Sequence, residues 1–331
     1  MKRLAVLTSG GDAPGMNAAV RSVVRTALAL DCEIYGIYRG YQGLLDHDIV
    51  AMQSSSVSGI ILHGGTMLKT ARCQAFFERE NQKKGAQFLK ERGIDGLIVI
   101  GGDGSIQGAE VLSGLGIPTV TLPGTIDNDM HGTDETIGHD TAVNVVVSAV
   151  SRIRDSASAH ERAAIVEVMG RFAGHIALDA GLACGAEYIL IPEVPFSREK
   201  LARSLMGQMK AGRTNSIIIC AEGADHGHAL GEWLKERTHI DICNTNLGFI
   251  QRGGQPSARD SQLGSILGAA GVQALLAGET GALVGMERGK VRIISYEDAK
   301  KVKEPFQRGL YDLSVMLGAA QVNGTIEESG L

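Results

Sequence analysis

The chain has 331 residues, 44% of them hydrophobic, which is enough for one large domain or two domains of ordinary size. Its net charge of −5 argues against a nucleic-acid-binding surface, and the lack of an apolar span of ~20 residues argues against a membrane protein. Five cysteines without Cys-x-x-Cys spacing indicate free thiols rather than a zinc site, so we predict a soluble cytoplasmic protein.

Predicted strands and helices alternate along the chain. The first pair is an apolar strand at residues 3–7 and, after a glycine turn, a helix at 16–30 with apolar residues on one face. Further strands are predicted at 33–38, 97–100, 119–122, 164–168, 188–191 and 216–220, and further helices at 141–158, 198–210, 261–277 and 306–320. Most of these strands are continuously apolar, as in parallel sheets covered on both faces, so we predict an α/β fold.

Two glycine-containing loops that follow strands are candidate phosphate sites. In residues 8–17, backbone amides at a glycine turn before a helix would bind phosphate oxygens. In residues 101–105, the carboxylate of Asp103 lies between glycines and suits Mg²⁺ that bridges phosphates. The alternatives are a tight structural turn at the first loop and, at the second, an aspartate that caps a helix beginning at Ile106.

A third loop, residues 123–129, reads Pro-Gly-Thr-Ile-Asp-Asn-Asp and follows an apolar run. We interpret Asp127 as a base that accepts the proton of an attacking alcohol, and Thr125 as a residue that holds the acceptor. Asp129 would orient Mg²⁺ or a water molecule. An Asx-rich turn without a chemical role is the alternative. Together with the second loop, this segment predicts phosphoryl transfer.

Six motifs are spread in order over nearly the whole chain, at residues 8–17, 101–105, 123–129, 169–171, 221–223 and 251–254. They resemble the motifs of bacterial-type ATP-dependent 6-phosphofructokinases. The resemblance implies a homotetramer whose subunits have two three-layer αβα sandwich domains with mostly parallel sheets. It implies an ATP-binding domain at 1–138 plus 251–301 and a fructose 6-phosphate-binding domain at 139–250 plus 302–331.

The same resemblance implies residue roles in making fructose 1,6-bisphosphate from fructose 6-phosphate in glycolysis. Asp127 would deprotonate the sugar 1-hydroxyl, and Asp103 would hold Mg²⁺. The residues implied to act in catalysis are Asp127, Thr125, Arg171, Arg72 and Gly11. Those implied to bind ATP or ADP are Gly11, Arg72, Cys73, Gly102, Asp103, Gly104 and Ser105. Those implied to contact the acceptor are Thr125, Ile126, Asp127, Arg162, Met169, Gly170, Arg171, Glu222, Cys243, Phe249 and Arg252.

The choice of phosphoryl donor follows from two glycines. In this family, glycine at the positions of Gly104 and Gly124 marks users of ATP, whereas diphosphate-dependent relatives carry aspartate and lysine there. An aspartate would fill the space of the α-phosphate, and a lysine would bind the diphosphate. The resemblance therefore implies ATP as the donor.

The acceptor site departs from the family at two positions. The family binds the 6-phosphate with two arginines of a neighbouring subunit and with an arginine and a histidine of the same subunit. Arg162 and Arg252 match, but the other positions are Cys243 and Phe249. Each lost charge-assisted hydrogen bond costs roughly 1.5–3 kcal/mol, or about one to two decades of affinity.

Three interpretations of this departure are consistent with the sequence. One is a raised KM for fructose 6-phosphate, with or without help from Arg237 or His239. Another is a kinase for a different acceptor, such as tagatose 6-phosphate or sedoheptulose 7-phosphate. The third is a non-catalytic or regulatory paralogue that keeps the nucleotide site. The intact catalytic residues, such as Asp127 and Asp103, favour an enzyme, whereas Cys243 and Phe249 favour a different acceptor or a non-catalytic paralogue.

The family's effector site between subunits is only partly retained. Arg21 and Arg25 are spaced to project from one helix face, which is otherwise typical of a solvated basic surface. The residues that resemble the site for ADP or phosphoenolpyruvate are Arg21, Arg25, Arg154, Gly185, Glu187 and Arg213. Charged family residues are replaced by Ser54, Gly59, Ala211 and Asn215. We therefore predict weak or absent effector control.

Overall fold

The computed structural model describes residues 2–302 and 306–318. These residues form two compact units. Unit 1 comprises residues 2–126, 130–141 and 252–302, and unit 2 comprises residues 127–129, 142–251 and 306–318. The domain limits inferred from the resemblance, and the assignment of one ligand to each domain, stay predictions.

The described strands and helices mostly alternate, and they include a strand at each of the seven predicted positions. The strands are β1 (Arg3–Thr8), β2 (Glu33–Ile37), β3 (Ile49–Ala51), β4 (Gly96–Gly101), β5 (Thr119–Thr125), β6 (Ile137–Gly138), β7 (Ala163–Val168), β8 (Tyr188–Leu190), β9 (Ser216–Ala221), β10 (Ile242–Asn246), β11 (Ala282–Glu287) and β12 (Lys290–Ser295). Of these, β3, β6, β10, β11 and β12 were not predicted. The helices are α1 (Met16–Ala29), α2 (Gly40–Leu45), α3 (Arg79–Glu91), α4 (Asp103–Gly114), α5 (His139–Ala159), α6 (His175–Ala183), α7 (Arg198–Lys210), α8 (Gly227–Thr238), α9 (Ala258–Leu276), α10 (Tyr296–Ala299) and α11 (Arg308–Leu317).

Unit 1 is built on one mixed sheet. Its strand order is β12-β11-β5-β4-β1-β2-β3, and β6 pairs with β5. The central strands β5, β4, β1 and β2 run parallel, whereas the edge strands β3 and β12 are antiparallel to their neighbours. Both β4 and β5 are completely buried; the side chains of β4 are apolar without alternation, whereas β5 also buries Thr119, Thr121 and Thr125.

Unit 2 contains a smaller sheet of order β10-β7-β9-β8, in which all neighbours are parallel. Its core is formed by apolar residues of these strands and of α7 and α8, including Leu201 and Leu230. The two sheets confirm the predicted α/β fold with mostly parallel strands. No helix in the described parts of the chain is long and apolar enough to cross a membrane.

Two helices begin at residues other than those predicted. The helix predicted at 261–277 begins at Ala258, because the hydroxyl of Ser257 accepts a hydrogen bond from the Asp260 amide at 3.1 Å. The alternative in which Asp103 caps a helix from Ile106 is wrong, since α4 begins at Asp103 and Gly102 is its N-cap. Residues 319–320 of the last predicted helix lie outside the described residues.

Candidate active site

The first two glycine loops of unit 1 lie side by side, because β1 and β4 are adjacent and parallel. The amide of Ser9 donates to the carbonyl of Ile100 at 2.9 Å. A Cβ atom added to Gly101 would lie 2.4 Å from the Ser9 carbonyl oxygen, so only glycine allows this approach. The loops after β1 and β4 thus form one backbone surface at the carboxyl edge of the sheet.

A buried tyrosine links Ser105 of the second glycine loop to Phe76, which lies close in sequence to the predicted ATP-binding residue Cys73. The hydroxyl of Tyr41 donates to the Ser105 carbonyl at 2.6 Å, and its ring stacks on Phe76 with centroids 4.4 Å apart. Burial raises the pKa of Tyr41 well above its ordinary value, so the phenol stays a donor. Tyr41 therefore fixes the position of Ser105 through a contact that the sequence did not indicate.

Arg72 and Cys73 differ in their surroundings. Arg72 is exposed, whereas Cys73 is half-buried and packs against the core of unit 1. Burial raises the pKa of the Cys73 thiol. Arg72 is thus a charge exposed to solvent, and Cys73 contributes a neutral side chain.

The two glycines connected with donor choice have different physical roles. Gly104 is exposed in the first turn of α4, and a Cβ atom there would meet nothing within 4 Å. Gly124 is buried in β5, where a Cβ atom would lie 3.0 Å from Met16 Cε and 3.1 Å from Ile100 Cγ2. A side chain at 104 therefore fits the fold, whereas a side chain at 124 would displace its neighbours.

Asp103 is exposed in the first turn of α4 and suits a metal that is bound mainly by its substrate. Among the residues that the structure describes, no group of three or more His, Cys, Asp or Glu side chains could hold a metal. Mg²⁺ fits this arrangement, since it commonly takes one or two carboxylates and completes its coordination with phosphate oxygens and water.

Arg252 lies against the first loop of unit 1. Its Nη1 donates to the Asp12 carbonyl at 3.0 Å, and a Cβ atom added to Gly11 would lie 2.5 Å from that nitrogen. A side chain at position 11 would therefore have to displace the guanidinium end of Arg252. In this conformation Arg252 contacts a predicted ATP-binding residue, and its predicted contact with the acceptor phosphate stays a prediction.

In unit 2 the structure brings Asp127 and Arg171 together. Asp127 is 3% exposed, and Arg171 Nε lies 3.7 Å from Asp127 Oδ2. Arg171 has φ 55°, a left-handed conformation that costs a non-glycine residue roughly 1–2 kcal/mol. Its amide donates to Glu222 Oε1 at 2.9 Å. A Cβ atom added to Gly223 would lie 2.1 Å from the Arg171 carbonyl oxygen.

The side chain of Gln251 also belongs to this site, although no role was predicted for it from the sequence. It is completely buried, and its amide group accepts from the Met169 amide at 3.2 Å and donates to the Gly248 carbonyl at 3.0 Å. It therefore ties the loop after β7, which contains Gly170, to the turn after β10. That turn carries Phe249, which is 82% exposed.

Arg162 and Cys243 lie at the opposite edge of the same sheet. Arg162 precedes β7 and Met169 follows it, so the six residues of β7 separate them by roughly 20 Å. Cys243 pairs in register with Ala164 near the same amino edge, and burial raises the pKa of its thiol. Within one chain, these two residues do not share a site with Met169.

Four of the six predicted effector residues meet in unit 2. Both Arg154 Nη1 and Arg213 Nη1 donate to Glu187 Oε1, at 3.2 and 2.6 Å. Arg154 Nη2 also donates to the Gly185 carbonyl at 2.9 Å, and Glu187 Oε2 accepts from the Ile217 amide at 2.7 Å. The remaining two, Arg21 and Arg25, lie on α1 in unit 1.

Comparison with known proteins relates most of this chain to a single family. The Phosphofructokinase family model matches residues 3–275. An ATP-dependent 6-phosphofructokinase of Paenibacillus macquariensis is 50% identical over 318 residues, which cover 96% of this chain and 99% of that protein. One from Clostridium botulinum (strain Eklund 17B / Type B) is 48% identical with the same coverage.

A solved structure agrees with the sequence matches. The structure of phosphofructokinase from Saccharomyces cerevisiae superimposes with a TM-score of 0.84 and 36% identity, covering 97% of this chain and 49% of that chain. The chain thus spans about half the length of the yeast chain. The family match, the near-full-length relatives and the shared fold confirm the resemblance seen in the motifs. The chain belongs to the phosphofructokinase family.

Proposed function

We propose that this chain is an ATP-dependent 6-phosphofructokinase that phosphorylates fructose 6-phosphate in glycolysis. The observation that carries the proposal is the pairing of a buried carboxylate with an exposed guanidinium, Asp127 with Arg171, at 3.7 Å. The names of relatives that are 48–50% identical over nearly the whole chain support the same activity.

The reaction assigns a distinct role to each group. The sugar 1-hydroxyl gives its proton to the Asp127 carboxylate while its oxygen attacks the γ-phosphorus of ATP. The bond from phosphorus to the bridging oxygen breaks, and ADP leaves with the electron pair. Arg171 stabilises the charge that develops on the transferring phosphoryl group, and exposed Arg72 acts in the same way.

Asp103 would hold Mg²⁺, which neutralises charge on the phosphates of ATP when it is bound. The chain's own contribution to nucleotide binding is the paired backbone surface of the loops after β1 and β4. Backbone amides of a glycine turn and a helix N-terminus suit phosphate oxygens. Gly104 leaves space beside this surface, which supports ATP rather than diphosphate as the donor.

The separation of Arg162 from Met169 supports a site shared between copies of the chain. An acceptor bound beside Met169 and Glu222 cannot reach Arg162 of the same chain, because β7 lies between them. In the proposed homotetramer, Arg162 and Cys243 of a neighbouring subunit complete the phosphate site. Free thiols at all five cysteines agree with a cytoplasmic location.

The test of this proposal is the variant Asp127→Asn, which keeps the side-chain volume but removes the base. The expected result is a fall in kcat of about 10²- to 10⁴-fold with ATP affinity unchanged. The matched control is Asp31→Asn. It removes the same charge from an exposed residue that is distant from Asp127 in the sequence. An Asp127→Asn enzyme as active as this control would overturn the assignment.

A further inference from the structure

Asp241 and Arg162 are held next to each other by the backbone of two neighbouring strands. Each precedes its strand, β10 and β7, and these strands pair in parallel from Ile242 and Ala163 onward. The Ala163 amide donates to the Asp241 carbonyl at 3.0 Å. The two side chains therefore start from fixed positions on the same edge of the sheet.

The contact between their charged groups is loose. Arg162 Nη1 lies 3.8 Å from Asp241 Oδ2, which is beyond hydrogen-bonding distance. Arg162 is 26% exposed and Asp241 is 62% exposed. The Nε of Arg162 is buried and has no hydrogen-bond partner within the described residues. The guanidinium thus keeps donors for a further acceptor, while a carboxylate stands beside it.

The neighbouring residue Cys243 adds no positive charge to this pair. Burial raises the pKa of its thiol, so the thiol is neutral at physiological pH. The net charge of the Arg162–Asp241 pair is then zero. A phosphate dianion that approaches Arg162 meets a carboxylate of like charge, with no second cation at position 243 to offset it.

We propose that Asp241 is a specificity-determining residue for the acceptor, because its carboxylate competes with the phosphate group of a sugar phosphate for Arg162. This inference rests on the proposed function. Asp241 lowers the affinity for the phosphorylated acceptor and leaves the chemical step unchanged, since it lies at the sheet edge opposite Met169 and Glu222. The class of ligand that it affects is the phosphate monoester dianion.

The variant Asp241→Asn tests this role in the intact protein. It keeps the backbone carbonyl that binds Ala163 and removes only the charge. The KM for fructose 6-phosphate should fall about three- to fivefold, as expected for a partly exposed ion pair, while kcat and the KM for ATP stay unchanged. The gain should shrink as salt is raised from 10 mM to 0.5 M, because screening weakens both the attraction and the repulsion.

Glu236→Gln is the matched control, since Glu236 is an exposed carboxylate on α8 in the same unit. If Glu236→Gln lowers the KM equally, net charge is the cause and the inference is wrong. An unchanged or raised KM in Asp241→Asn also overturns it. Failure of the proposed function is distinguishable, because the unmodified protein would then show no turnover that depends on fructose 6-phosphate.

Discussion

Arg171 Nε lies 3.7 Å from Asp127 Oδ2, and the two groups differ in their access to solvent. The Asp127 side chain is 4% exposed, whereas that of Arg171 is 62% exposed. A buried carboxylate can accept the proton of the attacking hydroxyl, and the exposed cation beside it can reach the transferring phosphoryl group. The left-handed backbone of Arg171 is maintained by Glu222 and Gly223.

Removing the cation should slow the chemical step. We expect Arg171→Ala to lower kcat by about 10²- to 10³-fold, because charge on the transferring group loses its preorganised donor. The exposed Arg203 on α7 provides the control Arg203→Ala, which should leave kcat unchanged. Steady-state kinetics with both substrates measures the effect, and a kcat equal to that of the control would contradict the role.

Two glycines of the nucleotide loop should respond oppositely to alanine. At Gly101 the added Cβ atom would lie 2.4 Å from the Ser9 carbonyl oxygen, so we expect Gly101→Ala to lower the free energy of unfolding by about 1–3 kcal/mol. At Gly104 nothing lies within 4 Å, and Gly104→Ala should raise it by up to about 1 kcal/mol as a helix substitution. Urea denaturation measures both, and equal effects would refute the distinction.

The acceptor site should gain affinity when the family's residues are restored. We expect Cys243→Arg and Phe249→His each to lower the KM for fructose 6-phosphate by about one to two decades, because each adds a charge-assisted hydrogen bond to phosphate. The control is Leu30→Arg, which adds the same charge at an exposed position. Cys32→Arg would not serve, because Cys32 is buried. A KM that does not change in either variant would mean that neither position meets the phosphate.

Tyr296 should make stability depend on alkaline pH. Burial raises its pKa from 10.0 to about 12, so the folded state retains the phenolic proton more strongly than the unfolded state. This contribution is complete below pH 10 and is lost as the pH rises toward 12. Tyr296→Phe should therefore show a shallower loss of unfolding free energy between pH 10 and 12.

The same variant has a second expected effect at pH 7. The Tyr296 hydroxyl contacts Thr121 Oγ1 at 2.8 Å and Thr119 Oγ1 at 3.2 Å, so its removal should cost about 1 kcal/mol. Denaturation across the pH range measures both effects. An identical pH dependence in the two proteins would show that Tyr296 does not couple proton binding to folding.

Effector control should be weak. Glu187 already accepts hydrogen bonds from Arg154 and Arg213, at 3.2 and 2.6 Å, so an anionic effector must compete with an internal carboxylate. We expect phosphoenolpyruvate or ADP to shift the midpoint of the fructose 6-phosphate saturation curve by less than about threefold, corresponding to a coupling below roughly 1 kcal/mol. A large shift at millimolar effector would contradict this prediction.

The hydrophobic pattern of the sequence predicted the strands whose side chains are nearly all buried, and one helix with a clear N-cap. Strands β1, β4 and β9 are buried on both faces over most of their length and therefore read as nearly continuous apolar runs. Helix α7 was predicted with its observed limits, because Ser197 caps it through the Lys200 amide.

Elements at the edges of sheets were missed because their sequences are mixed. Strand β10 contains Asn244, Thr245 and Asn246, and β12 buries only Ile294 while its other apolar residues are exposed. Helix α3 is rich in charged side chains, so its buried face is narrow. In these cases tertiary packing decides the structure.

The candidate site was predictable where chemistry is concentrated in one loop. The hydroxyl and carboxylates of residues 123–129 and the carboxylate of Asp103 stand out in the sequence. Partners that act through long-range contacts did not stand out. Tyr41 meets Ser105, Gln251 meets Met169 and Asp241 meets Arg162 only after the strands pair.

The measurement that tests the central claim most directly is the initial rate of ADP formation against fructose 6-phosphate concentration at saturating Mg-ATP. The reaction product is identified in the same samples. We expect a saturable rate that requires the sugar phosphate and yields fructose 1,6-bisphosphate. ATP binding without any rate that depends on fructose 6-phosphate would contradict it.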